Sequence, residues 1–143
     1  MIIDIPITFI SIEDEGYHLI VDGEINGKAA RLLIDTGASR SVFDFSRISL
    51  FFEEDEIDLE ATENVSTGIS SDKIKSELTY FEILKIGDLN IENYKAVILD
   101  MPHVNGTYEK LGLEAIDGII GSDILMKYGA VIDFNTRLLE IRI

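Results

Sequence analysis

Apolar residues in this chain fall in short runs and alternations broken by glycine, a spacing that suits strands better than long helices. Met1-Ile2-Ile3-Asp4-Ile5-Pro6-Ile7-Thr8-Phe9 reads as an extended strand with a tolerated edge proline. Tyr17 to Ile25 alternates, and Asn26-Gly27 followed by Lys28-Ala29-Ala30-Arg31-Leu32-Leu33 predicts a hairpin. Its second strand runs through Ile34 straight into Asp35, then Thr36-Gly37-Ala38-Ser39, so the acid should emerge where a buried strand breaks.

Farther along, Ser41-Val42-Phe43-Asp44-Phe45-Ser46-Arg47-Ile48 predicts a turn or two of helix capped by Ser39 or Ser41. The acidic stretch to Glu60 reads as a connection. Runs through Ala61 to Val65 and Lys73 to Ile86 flank Ser66-Thr67-Gly68-Ile69-Ser70-Ser71-Asp72, a polar hairpin tip. Gly87-Asp88-Leu89 turns the chain into a strand from Ile91 to Leu99. Met101 to Glu114 reads as irregular, because Pro102, Asn105-Gly106 and Gly112 deny it a long regular element. Ile119-Ile120 predicts a short strand, Ser122 to Tyr128 a helix stopped by Gly129, and Ala130 to Ile143 a hairpin turning at Asn135-Thr136. Strand, glycine turn and short helix thus follow each other twice, after Asp35 and after Gly121, a pattern that suggests internal duplication.

Composition narrows the chemistry. A chain of 143 residues reads as one domain spanning 1–143 and removes roughly 70% of its extended surface from water, enough for a core without staples. The absence of cysteine excludes disulfides, thiolate zinc sites and a cysteine nucleophile, and is compatible with a reducing compartment. The N-terminus lacks a basic leader region and carries Asp4 within its apolar run, so it is neither a signal peptide nor a membrane span, which favours the cytoplasm. Twelve basic against 27 acidic residues give a net charge of -15, the wrong sign for nucleic acid or an anionic membrane. Glu13-Asp14-Glu15 and Glu53-Glu54-Asp55-Glu56 read as solvated loops.

Of the two histidines, His18 and His103, the second lies in the irregular stretch with no partner ligand at a recognisable spacing, so it reads as exposed or structurally bonded. Glycine-rich nucleotide loops, a P-loop, paired metal histidines and calcium loops are all missing, and Ser39 or Ser122 with a histidine lacks a triad signature. No metal or cofactor is expected. What remains is Asp35. A charge at a buried strand end is costly unless donors meet it. Thr36 offers a hydroxyl able to bond across to another loop, Gly37 a backbone free to aim its N–H at the carboxylate, and Ala38 no bulk beside a substrate.

Leu33-Ile34-Asp35-Thr36-Gly37-Ala38-Ser39 resembles the active-site loop of aspartic proteases, in particular the single-domain retropepsin-like proteins. Farther on, Ile116-Asp117-Gly118-Ile119-Ile120-Gly121-Ser122-Asp123-Ile124-Leu125 resembles the apolar-apolar-glycine segment that leads into that family's C-terminal helix. The resemblance implies a mostly β, closed retropepsin-like barrel with one or two short helices. It also implies an aspartic endopeptidase that activates water by general acid and base, without cofactor, on a peptide or protein substrate. Substrate would lie extended between the active-site loops and a flap placed at Thr67-Gly68-Ile69-Ser70, whose tip is poorer in glycine than the retroviral one.

Such hydrolysis needs two carboxyls about 3 Å apart sharing one proton, and this chain has a single Asp-Thr-Gly. Asp117 and Asp123, placed before the strand and inside the helix of the second motif, are not assigned to the pair. A two-fold homodimer would set Asp35 beside its own copy, with Thr36 clamping the two loops and Gly37 donating to the carboxylate. Two positions where retroviral enzymes pair an acid with an arginine hold Ser39 and Ser122, and the terminal hairpin is longer than the single retroviral strand. The interface is therefore expected to be built differently. The alternative is a catalytically inactive peptide-binding or regulatory module on the same fold, which sedimentation as a strict monomer would favour.

Overall fold

A glycine without a side chain is what allows the main barrel to close. In a computed structural model, which describes residues 1–14, 16–53, 60–61 and 76–143, eleven strands and two α-helices form among the described residues. The central strands are β3 (Tyr17–Ile25), β4 (Lys28–Ile34), β5 (Val42–Asp44), β7 (Glu77–Ile86), β8 (Leu89–Leu99) and β9 (Gly118–Ile120). They pair in the order β3-β4-β9-β5-β8-β7, and β7 returns to β3 through Gly23↔Ile86, Glu24↔Lys85 and Ile25↔Leu84. A Cβ on Gly23 would overlap the Lys85 carbonyl oxygen, so only glycine lets these two backbones meet. The ring is a closed six-stranded barrel, as the retropepsin-like resemblance implies. Strands β2 (Thr8–Ser11) and β6 (Glu60–Ala61) extend its sheet from β3 and β7.

The barrel is filled by alternate inward residues of both motifs and both long strands, among them Leu32, Phe43, Phe81, Leu84, Ile98 and Ile120, all buried. Phe43 meets Phe81 edge to face with centroids 4.9 Å apart. A second sheet, β1 (Ile2–Pro6), β11 (Leu138–Arg142) and β10 (Val131–Asp133), adds Ile3, Ile5, Leu139 and Ile141 to the same core. The Asn26-Gly27 hairpin forms as read, with both residues at positive φ (51° and 81°), the conformation a two-residue primed turn demands.

Three expectations need correction. The N-terminal run is two strands, because Ile7 leaves β1 to donate its N–H to Arg137 O (2.9 Å) before β2 begins. Ser41 to Ile48 is not helical. Val42 and Phe43 are taken up as β5 between β8, in parallel, and β9, antiparallel, and a single-turn 3-10 helix follows only at Ile48–Phe51. Burying the Phe43 ring outweighs mediocre local helix preference. Met101 to Glu114 is not irregular either, since α1 spans Pro102–Lys110. Proline is harmless in the first turn, where its missing N–H has no helical partner. Gly112, at φ 69°, ends the helix just past its last turn rather than forbidding it. Helix α2 (Ser122–Lys127) stops before Gly129, at φ 54°. The tip Ser66 to Asp72, with Thr67, Gly68, Ile69 and Ser70, lies outside the described residues.

Candidate active site

Strands β4 and β9 run parallel with Leu32↔Gly118, Leu33↔Ile119 and Ile34↔Ile120 in register, so the two sequence motifs leave the barrel side by side. Asp35 N–H donates to Ile120 O (3.0 Å), which ties the acid to the end of the neighbouring strand. Leu32, Leu33 and Ile34 are buried, but Asp35, Thr36 and Gly37 are exposed. The buried run therefore ends one residue before the acid, and in the single chain the carboxylate meets water. Gly37 N–H donates to Asp35 Oδ1 (3.0 Å), and Ala38 N–H donates to Asp35 O (3.2 Å), closing a tight turn. The Thr36 hydroxyl has no hydrogen-bond partner among the described residues.

The second motif is moulded to the first by its missing side chains. A Cβ on Gly118 would press on the Phe43 ring, and one on Gly121 would come within 2.6 Å of Ala38 O and 3.0 Å of the Arg40 carbonyl carbon. Ser122 N–H donates to Ala38 O at 2.7 Å across that seam. Beside it, Ser39, Ser122, Asp123, Met126 and Lys127 line a shallow open depression of about 630 Å³.

Beneath the seam lies a set of polar contacts not legible in the sequence. Ser41, buried, donates its N–H to both carboxylate oxygens of Asp123 (3.0 Å each) and its hydroxyl to Asp123 Oδ1 (2.7 Å). Gly121 N–H donates to Ser41 Oγ (2.9 Å). Burial pushes nearby Tyr94 up to about 12, and the Asp123 charge adds to the rise. The available signal was a hydroxyl just before Val42-Phe43 and an acid in the first turn of α2, too common a pair to single out.

The other acids near the motifs are engaged in structure. Asp117, buried, accepts from Arg31 N–H (2.8 Å) and pairs with Arg47 Nε (2.6 Å). Asp44, buried, accepts from Ser46, from Met101 N–H and from the Asn105 amide, and Asn105 also bonds Ile116 in both directions, fixing α1 to the barrel. His18 Nδ1 lies 2.7 Å from the hydroxyl of fully buried Tyr108, whose ionisation burial pushes up, while His103 is exposed. Among the described residues no group of three His, Cys, Asp or Glu could hold a metal ion. No helix among them is long and apolar enough to cross a membrane.

The family model described as aspartyl protease matches residues 21–124, a span that contains the first motif whole and the second through Ile124. Among solved structures, a retropepsin-like aspartic protease from Rickettsia conorii is similar over 99% of this chain and 91% of its own, with 18% identity and a TM-score of 0.56. The retroviral protease-like domain of Ddi1 from Leishmania major is similar over 87% of each chain at 19% identity and a TM-score of 0.57. The EIAV protease, solved with an inhibitor, is similar over 87% of this chain and 100% of its own at 17% identity and a TM-score of 0.58. No curated protein matches the chain.

Proposed function

This chain belongs to the aspartyl protease family, and from that premise we propose that it is a homodimeric aspartic endopeptidase in which Asp35 of each copy supplies one carboxyl of the catalytic pair. The observation that carries the reading is the presentation of Asp35. It stands exposed at the mouth of the barrel, held by Gly37, while Asp44, Asp117 and Asp123 are all engaged in structural hydrogen bonds. Among the described residues one chain thus offers one carboxylate free of structural partners other than Gly37 at this site, and a second copy is the economical source of the other.

Two such carboxyls about 3 Å apart hold a single proton between them. The ionised one takes a proton from water as the water oxygen bonds to the peptide carbonyl carbon, and the protonated one gives its proton to the carbonyl oxygen. Collapse of the resulting diol breaks the C–N bond as the leaving nitrogen takes up a proton, and the shared-proton state returns. Thr36, exposed and without a hydrogen-bond partner among the described residues, is assigned to clamp the paired loops. Gly37 steadies the carboxylate, and Ala38 leaves room for an extended peptide bound as an added strand. Gly118-Ile119-Ile120-Gly121 backs the loop, and Thr67-Gly68-Ile69-Ser70 is assigned to cover the substrate.

The test is cleavage of an unstructured protein between about pH 3 and 7 by wild type and Asp35→Asn, alongside sedimentation. The expected outcome is activity in the wild type, a fall of at least about a thousandfold in the variant, and a dimer. Equal activity in both overturns the reading. A strict monomer that cleaves nothing would instead favour a peptide-binding or regulatory module on this fold.

A further inference from the structure

We infer that Asp123 and Ser41 form a latch that sets the position of the Asp35 loop, making them positioning residues for the reaction proposed above, on which this inference rests. Residues 36–40 carry no regular structure, and Thr36, Gly37, Ser39 and Arg40 are exposed, so their own packing holds them little. The loop is fastened at its ends and at one point between. At the start, Asp35 N–H reaches Ile120 O; in the middle, Ala38 O receives Ser122 N–H. At the far end Ser41 alone contributes three donor contacts to the Asp123 carboxylate.

The Ser41 hydroxyl is bonded on both of its sides. It has one proton to give and lone pairs to receive with. Ser41 gives its proton to Asp123 and receives Gly121 N–H on its oxygen. Asp123 is itself held, because its Oδ1 also accepts Ile124 N–H at the start of α2. The latch therefore joins α2 and the β9 end to one serine six residues beyond Asp35. At 1% exposure water cannot stand in for a lost partner at Ser41. If the latch opens, the loop stays attached to Ile120 and Ser122 but loses its fixed end, and Asp35 is free to drift from its partner's carboxyl. Displacements near 1 Å in a catalytic group cost on the order of a hundredfold in rate.

The experiment compares wild type with Ser41→Ala, Ser41→Thr, Asp123→Ala and the Ser41→Ala/Asp123→Ala double variant. It measures kcat and KM on an unstructured protein, melting temperature, and amide hydrogen exchange of peptides covering residues 35–41. The expected result is kcat lowered about tenfold to a hundredfold in either alanine variant, with KM within about threefold. Exchange should be faster in residues 35–41 only, the double variant no worse than the singles, and Ser41→Thr close to wild type because it keeps the hydroxyl. Unchanged kcat and exchange in folded alanine variants would overturn the latch. So would a loss that tracks a fall in melting temperature with exchange faster across the whole chain. If the wild type cleaves nothing, the protease reading fails by itself, and the exchange data alone judge the latch.

Discussion

Two segments leave the barrel as neighbours and then do opposite things. Leu32-Leu33-Ile34 and Gly118-Ile119-Ile120 are parallel and in register, sending Leu32, Ile34 and Ile120 into the barrel core and Leu33 and Ile119 to a second cluster with Tyr108. The next residue is Asp35 in one and Gly121 in the other. The first presents a carboxylate to solvent; the second, by having no side chain, lets the first lie against it at Ala38 and Arg40. After that the likeness ends, because the first continues into strand β5 and the second into helix α2. A repeated backbone has been divided between a half that carries the reactive group and a half that fixes where it stands.

The largest test of this division is a methyl group added to each half. In Gly121→Ala the new Cβ meets backbone, Ala38 O at 2.6 Å and Arg40 at 3.0 Å, and backbone cannot swing aside. The expected outcome is a loss of about 3 kcal/mol in unfolding free energy together with about a hundredfold in kcat/KM, by chemical denaturation and peptide cleavage. In Gly37→Ala the only atom within 4 Å among the described residues, chain neighbours aside, is Asp35 Oδ1 at 3.3 Å, the mobile end of an exposed side chain. Stability should change by less than about 1 kcal/mol, while cleavage still falls because the carboxylate itself must move. Equal stability losses in the two variants would erase the distinction between the halves.

Next in size is an alkaline effect that belongs to the supporting half. Tyr94 ionises near 12 in the folded protein because burial, reinforced by the Asp123 charge, disfavours its anion, against a value of 10.0 when free. A group whose folded value is raised stabilises fully below its unfolded value, and that contribution is lost as pH rises from about 10 to 12. The unfolded chain releases its proton first over this window, so about 2–3 kcal/mol should disappear across it. Tyr108, also raised by burial, acts in the same direction. Tyr94→Phe should start within about 1 kcal/mol of wild type and then decline less steeply. Denaturant unfolding of both proteins at pH 9 and pH 12 measures the difference.

What the sequence disclosed about these halves follows from the range of the forces involved. The glycine-bounded strands, the Asn26-Gly27 turn and the paired motifs are local patterns, and the barrel follows from them. β5 is not local: Val42 and Phe43 become strand only because Val97 and Ile119, far along the chain, are there to pair. Helix α1 survives its proline and glycines because Asn105 grips Asp44 and Ile116 while Tyr108 is buried against His18. The Ser41–Asp123 contact spans 82 residues, and no spacing rule reaches that far. The exposure of Asp35 was hidden for a related reason: an apolar run announces a buried strand without saying at which residue the chain leaves the barrel.

The smallest effect is expected where neither half is involved. Asp133, half-buried in the terminal hairpin, is held below the usual carboxylate range first by Thr136 N–H (3.1 Å) and then by Asn135 N–H (2.8 Å), both on Oδ1. A carboxylate with a lowered folded value stabilises fully above its unfolded value and loses that contribution as pH falls through the folded one. Asp133→Asn keeps an acceptor oxygen for the turn but has no proton to take up. The variant should therefore melt slightly below wild type near neutrality and lose less than wild type as pH drops below about 4, where the two converge. Because this hairpin is outside the seam that joins the two motifs, cleavage at each pH should be the same in both proteins. A change in kcat from this substitution would mean that control of Asp35 extends past α2 into the terminal hairpin, and that the supporting half is larger than the segment from Gly118 to Lys127.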